Sequence, residues 1–311
     1  MALAESEDES SVLHYRCSGD RYYVRVGYVW MGMEIGCDCD RGGSDPCDRH
    51  GDFAGSAAKC AEGGAEEGCV GFAKFLNVVI GVVVIAMVIT EIFKSIQGEG
   101  TRAGLPCVFV RLTGCNLRCT WCDTAYAFYG GTKASIDEVL KKVRELGGSG
   151  TGRVALVEIT GGEPLLQPET PELAKRFLAE GYTTMIETSG ERFVGTLPRE
   201  VIKIVDVKCP DSGEADTFDF ANLEAIDKKD EIKFVISTRR DYEFARDFTR
   251  QHELAERVRE VLFSPVFPDP AGKWTGLEAR DLAEWILADG LPVRLGLQLH
   301  KFIWDAAMKG V

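Results

Sequence analysis

The apolar and polar positions of this chain fall into two regimes that meet near Met87. Beyond that point, short apolar runs rich in β-branched residues alternate with amphipathic stretches. The runs are VFVRL (108–112), VALVEIT (154–160), TTMIET (183–188), IKIVDVK (202–208), EIKFVIS (231–237), VLFSPVF (261–267) and RLGLQLH (294–300). Their length and continuity suit strands buried on both faces. Helical patterns separate most of them. In SIDEVLKKVREL, Ser135 and Glu138 have the spacing of a capping box, Ile136, Val139, Leu140 and Val143 share one face, and Gly147 ends the run. A second helix is predicted from Thr170, with Pro171 in the first helical position, to Gly181, and a third from about Leu277 to Ala288, closed by Gly290. Strand and helix in repetition predict a parallel sheet. Seven units in about 225 residues predict an α/β fold of the open or partial (β/α) TIM-like barrel kind, with its chemistry at the C-terminal ends of the strands.

The first 86 residues read differently. MALAESEDESS is acidic and polar, DCDRGGSDPCDRHGDFAGSAAKCAEGGAEEG is rich in Gly, Asp and Ala, and neither repeats with a period of 2 or 3.6. They predict a poorly ordered N-terminal extension over 1–86 ahead of a domain spanning 87–311, with either Met87 as the functional start or the extension dispensable. Six cysteines (Cys17, Cys37, Cys39, Cys47, Cys60, Cys69) and two histidines (His14, His50) fall in it, but no C-x-x-C pair is present to nucleate zinc binding. The apolar run FLNVVIGVVVIAMVI (75–89) is interrupted by Asn77, preceded by Lys74, and shorter than the ~18 to 20 residues of a bilayer-crossing helix. Its β-branched content predicts buried strand.

Composition narrows the class. The chain has 311 residues, 45% of them hydrophobic, enough for a sizeable core, and a formal charge of −13. That balance excludes a nucleic-acid binder that works by neutralising phosphates, and it fits a cytoplasmic protein that handles a small ligand away from membranes. Eleven cysteines, an odd number with no secretory signal ahead of them, point to reduced thiols that hold a metal.

Three of those thiols stand in GCNLRCTWCDT (114–124), directly after the strand VFVRL. A structural zinc site needs four ligands to close its tetrahedron, and Cys115, Cys119 and Cys122 supply three. On a four-iron cluster, three thiolates leave one iron open to an exchangeable ligand. Three buried core cysteines are the plainer alternative, and the polar neighbours Asn116, Arg118, Thr120 and Asp123 weigh against it.

C-x-x-x-C-x-x-C followed by TGGEP (160–164) at the end of a strand resembles the radical S-adenosylmethionine (SAM) superfamily. The resemblance implies a [4Fe–4S] cluster whose open iron chelates SAM, reductive cleavage to a 5′-deoxyadenosyl radical, and the partial barrel of that superfamily. EIFKSIQGEGTRAGLPCVFVRLTGCNLRCTWCDT, ITGGEPLLQ, IETSGE, DVKCPDSGE and the terminal LGLQLHKFIWDAAMKGV are together similar to the 7-carboxy-7-deazaguanine synthase family, over roughly 87–311. That similarity implies ring contraction of 6-carboxy-5,6,7,8-tetrahydropterin with loss of ammonia, assisted by Mg²⁺, in queuosine-type deazapurine biosynthesis. It further implies a homodimer, and a reductant protein such as a flavodoxin or ferredoxin as electron donor.

Carried over by motif, Cys115, Cys119 and Cys122 are the cluster ligands and Thr124 offers a hydroxyl oxygen to Mg²⁺, a hard ion. Ile96, Gln97, Gly98, Arg111 and Thr160 fall at substrate positions, with Arg111 suited to a bidentate grip on the substrate carboxylate. Trp121, Cys122, Asp123 and Gly162 fall at SAM positions, and Glu163, Ser189 and Lys208 are further SAM candidates. His300, at the end of the predicted last strand, is read either as facing the pterin or as structural. His252 reads as a solvated surface residue, and Cys107 and Cys209 as buried small apolar groups. A radical SAM activase acting on a protein partner is the alternative, though the core has no second cysteine-rich cluster motif. A structural iron–sulfur or zinc module, which binds no SAM, is the third reading.

Overall fold

A computed structural model describes residues 86–311 together with three strands of the N-terminal part. Those strands, β1 (Ser11–Cys17), β2 (Asp20–Val26) and β3 (Ile35–Cys39), form an antiparallel sheet in the order β1-β2-β3 within the unit 1–81. The side chains of its six cysteines and two histidines lie outside the described residues, as does most of the apolar run 75–89. Among the described residues no helix is long and apolar enough to cross a membrane.

The second unit is built on nine strands in the order β12-β11-β10-β9-β8-β7-β5-β4-β6. Seven run parallel: β5 (Pro106–Leu112), β7 (Leu156–Gly161), β8 (Thr183–Thr188), β9 (Ile202–Asp206), β10 (Glu231–Ile236), β11 (Glu260–Pro265) and β12 (Arg294–Leu295). These are the seven predicted strands. The sheet ends in β12 on one side and, on the other, in two strands the pattern did not separate, β4 (Ala86–Ile96) and β6 (Thr132–Ser135), both antiparallel to their neighbours. The result is the predicted partial barrel, open between β12 and β6.

Alternation along the strands divides the core in two. Outward side chains such as Val108, Val110, Val157, Ile159, Ile186, Ile232, Phe234 and Phe263 pack under the helices. The helix faces that cover them carry Val139, Leu140 and Val143 of α1 (Ile136–Gly147), Leu173 and Phe177 of α2 (Thr170–Ala179), and Tyr242 and Phe248 of α4 (Arg239–Gln251), which follows the single turn α3 (Asn222–Ala225). Beyond the second single turn, α5 (Leu254–Arg257), α6 (Ala279–Asp289) adds Leu282 and Ile286. Inward, Cys107, Phe109, Leu156, Met185, Ile202 and Ile204 fill the bottom of the barrel as a separate cluster, with Phe93 stacked on Phe109 at 5.0 Å. The floor of the barrel is therefore a packed plug, and space opens above it at the C-terminal strand ends.

Local chemistry sets the element ends. Ser135 caps α1 in a complete capping box with Glu138, and the helix ends at Gly148, whose φ is +76°. In α2, Thr170 is the first helical residue behind an N-cap at Glu169. α6 closes at Gly290 in the left-handed region. Two expectations need correction. His252 is half-buried at the C-terminus of α4, with its ring 4.4 Å from that of Phe248, because the helix turns its apolar face inward there. The run RLGLQLH is a strand for two residues only, since Gly296 leaves the sheet beside Ser264 and the chain turns back across the barrel mouth.

Candidate active site

The loop after β5 carries the three thiols. Cys115, Cys119 and Cys122 all line one cavity at the C-terminal ends of the strands. The loop is tied down from both sides. Gly114 donates its N–H to the Ala127 carbonyl and accepts from Glu163 N–H at 2.8 Å each, while Thr120 N–H donates to Ser212 and Arg118 N–H to Glu214 Oε1 at 2.6 Å. Burial pushes all three thiols up, Cys119 to about 11 despite the Lys208 ammonium nearby. Thiols so placed become thiolates when a cation replaces the proton, which is the chemistry of metal ligation. Among the described residues no three His, Cys, Asp or Glu groups converge as the ligands of a single metal ion.

Residues from the following strands complete the cavity. At the end of β7, Thr160 stands opposite Arg111 of β5, and Gly161 and Gly162 lie on the wall. A Cβ on Gly162 would overlap the Gly114 carbonyl and lie 2.7 Å from Cys115 Cβ, so only glycine lets TGGEP pass this close to the thiol loop. After β9, Lys208 reaches back to Asp206 at 2.7 Å, two residues earlier on the same strand face. The other oxygen of Asp206, Oδ1, is buried without a partner. An unspent carboxylate oxygen and a glycine cradle beside three thiols fit a cluster with a polar cofactor upon it.

At the end of β4, Ile96, Gln97 and Gly98 reach the cavity. Gln97 donates to Glu158 and accepts from Glu99 N–H at 2.9 Å. The C-terminal segment crosses the mouth. Leu299 N–H donates to Gly98, Gln298 to Glu99 at 2.9 Å, and Lys301 pairs with Asp123 at 2.7 Å. His300 opens a one-turn helix, α7 (His300–Ile303), where a strand end was predicted, yet its imidazole still faces the cavity against Gly98. Burial lowers its pKa. The Thr124 hydroxyl donates to Asp123 Oδ1 at 2.9 Å, which leaves its oxygen lone pairs free to serve a cation.

Of the predicted site residues, Trp121, Asp123, Thr124, Ser189, Lys208, Arg111 and the rest named above line the cavity, and Glu163 is the exception. Its side chain is fully buried and accepts from Leu165 N–H, the Thr188 hydroxyl, and both the N–H and the hydroxyl of Ser189, at 2.7–2.9 Å. It ties the end of β8 to the TGGEP turn instead of facing a ligand.

Sequence reasoning passed over a second layer. Glu158 and Glu187 are the lone charges of β7 and β8, Asp206 and Lys233 are each one of two in β9 and β10, and all four face the cavity with Glu99. Lys233 pairs with Glu187 and, at 3.0 Å, with Glu99. Burial alone raises Glu99, but Lys233 and Gln298 outweigh it and bring it down to about 2. Glu158 accepts from the Gln97 amide but forms no ion pair, and burial with the nearby Glu187 and Glu99 carboxylates drives it well above the usual range. A signal was present in the sequence: charges carried on four strands that are otherwise buried need polar partners or a shared polar space.

An open parallel barrel that holds a three-thiol loop against a glycine pair on the adjacent strand defines a radical SAM protein, and residues 109–211 match the family model of the Radical SAM superfamily. Such proteins carry a [4Fe–4S] cluster and use SAM. The chain is 55% identical over 231 residues to 7-carboxy-7-deazaguanine synthase of Koribacter versatilis, covering 72% of this chain and 100% of that one. It is 40% identical over 226 residues to the protein of that name from Chlorobaculum tepidum, covering 72% and 96%. It also resembles the crystal structure of QueE from Escherichia coli, with a TM-score of 0.55 at 25% identity over 69% of this chain and 94% of that one. The chain belongs to the 7-carboxy-7-deazaguanine synthase family.

Proposed function

We propose that the chain converts 6-carboxy-5,6,7,8-tetrahydropterin to 7-carboxy-7-deazaguanine by radical chemistry, with release of ammonia. The observation that supports this best is one cavity that joins the three-thiol loop to Arg111, a partly buried cation with polar and acidic groups below it. A cluster with SAM bound at the three thiols would supply the radical hydrogen abstraction that begins the reaction. Cys115, Cys119 and Cys122 hold the cluster; Trp121, Asp123, Gly162, Ser189 and Lys208 form the SAM side.

Ile96, Gln97, Gly98, Arg111, Thr160 and His300 form the substrate side. Arg111 meets the substrate carboxylate end-on, where a guanidinium makes two parallel hydrogen bonds. The carboxyls of buried Glu158 and of partly buried Glu187 and Glu99 below offer acceptors, and Glu158 also a proton, to the ring nitrogens. Thr124, its proton engaged by Asp123, presents oxygen to Mg²⁺ beside the cluster loop. The turn α7 and the Lys301–Asp123 pair close the mouth and exclude water. We assign the electron to a flavodoxin- or ferredoxin-type donor, the assembly to a homodimer, and the activity to residues 87–311 alone.

The test is anaerobic incubation of the reconstituted protein with SAM, dithionite, Mg²⁺ and the carboxypterin, with mass detection of product. The expected result is 7-carboxy-7-deazaguanine and ammonia in equal amounts, abolished by Cys119→Ala. Cleavage of SAM to 5′-deoxyadenosine with the pterin intact would overturn the substrate assignment and favour an activase.

A further inference from the structure

The chain path of β4 decides which of its side chains see the cavity. Met87 and Ile89 point outward, into the core under the helices. Strict alternation would send Glu91 the same way. The pairing with β5 instead shifts between Ile89 and Glu91: Ile89 stands opposite Leu112, and Glu91 opposite Arg111. One extra residue in the strand is a bulge, and it turns everything after it to the other face. The residue left over, Thr90, is held by a 2.7 Å hydrogen bond to the Thr113 hydroxyl. Glu91, Arg111 and Thr160 therefore stand in one row across β4, β5 and β7.

A carboxylate beside an arginine that must bind another carboxylate is at first sight counterproductive, because it cancels the charge. Its geometry argues for a different role. Oε1 of Glu91 accepts from Arg111 Nε at 2.8 Å and from the Tyr126 hydroxyl at 2.8 Å. The contact is to the edge of the guanidinium, while the rings of Phe93 and Tyr126 each lie 5.9 Å from its carbon. Among the described residues the two Nη groups have no hydrogen-bond partner.

We propose that Glu91, steadied by Tyr126, is a positioning residue that holds Arg111 by its Nε edge so that both Nη groups are presented as a fork to the substrate carboxylate. This rests on the assignment of Arg111 to that carboxylate. An unpinned arginine loses rotamer freedom on binding, whereas one already held loses little. The two roles predict opposite signs. If Glu91 only neutralised Arg111, its removal would tighten substrate binding; if it positions Arg111, removal weakens it.

The experiment compares Glu91→Ala, Glu91→Gln, Tyr126→Phe and Arg111→Met in the cluster-loaded protein, with iron content checked for each. Steady-state kinetics use the carboxypterin, and competition uses tetrahydropterin, which lacks the carboxylate. Glu91→Ala is expected to raise KM about tenfold with kcat within about threefold, and Glu91→Gln, which keeps an acceptor, to recover most of the loss. Affinity for tetrahydropterin should stay within about twofold, and Glu91→Ala should add nothing in an Arg111→Met background. If Glu91→Ala does not fold, Tyr126→Phe is expected to raise KM about threefold, and an unchanged KM there overturns the proposal. A lowered KM in Glu91→Ala, or equal losses for both pterins, also overturns it. Should Arg111→Met fail to distinguish the two pterins, the assignment of Arg111 itself falls instead.

Discussion

Glu163 makes the sharpest structural prediction, because a side chain expected at a ligand proves to be a buried tie. Its two oxygens take hydrogen bonds from two backbone N–H groups, Leu165 and Ser189, and from the hydroxyls of Thr188 and Ser189. In Glu163→Ala the hydroxyls can rotate to new acceptors, but the two N–H groups are left without partners in a fully buried site. At about 1–3 kcal/mol for each stranded donor, and with the lost packing added, the expected cost is about 3–5 kcal/mol. For a domain of this size that lowers Tm by about 6–20 °C. Glu163→Gln keeps one oxygen but turns an NH₂ toward either Leu165 N–H or Ser189 N–H, so it strands one donor and costs about 1–3 kcal/mol. The assay is thermal unfolding of the anaerobically reconstituted protein, paired with equilibrium binding of SAM. Freed from its tie, Ser189 drifts, and SAM affinity falls even where the chain stays folded. A Tm within about 3 °C of the parent for Glu163→Ala, together with unchanged SAM affinity, would refute the argument.

Three further outcomes are expected. Gly98→Ala places a methyl 3.1 Å from the His300 backbone nitrogen and onto its imidazole, which displaces the C-terminal turn; substrate KM should rise about tenfold with iron content unchanged. Lys301→Met removes the pair with Asp123, which is half-exposed, so Tm should fall by less than about 4 °C while hydrogen exchange at 299–303 speeds up. Glu158 binds its proton more tightly when folded than unfolded, so its contribution to stability is full below the ordinary carboxyl range and declines as pH rises toward its folded value. Glu158→Gln, permanently neutral, should therefore gain on the parent in Tm between pH 5 and 8, and no gain across that window would contradict the buried-acid description.

The barrel was legible because six of its seven parallel strands are largely buried on both faces and so read as mainly apolar runs, with glycines and a capping box marking the helix ends between them. β4 was not, for a physical reason: its bulge at Thr90 breaks the period of two, and the polar residues Glu91, Lys94 and Ser95 follow on a strand that borders the cavity. β12 was over-read because LGLQL alternates like a strand, although Gly296 and the contacts of Gln298 and Leu299 with Glu99 and Gly98 draw it across the mouth. The thiol loop, the glycine pair and Arg111 were found by motif. The charged layer of Glu99, Glu158, Glu187 and Lys233 was overlooked because its members come from four separate segments of the chain, and only the folded register of the strands gathers them at one cavity.

What the three thiols hold decides the chemistry of the site, and metal analysis with electron paramagnetic resonance of the dithionite-reduced protein, before and after SAM, tests it directly. Four irons and four sulfides per chain, a reduced-cluster signal that changes when SAM is added, and loss of both in Cys119→Ala are the predicted results. One zinc per chain, or a cluster whose signal is indifferent to SAM, would contradict it.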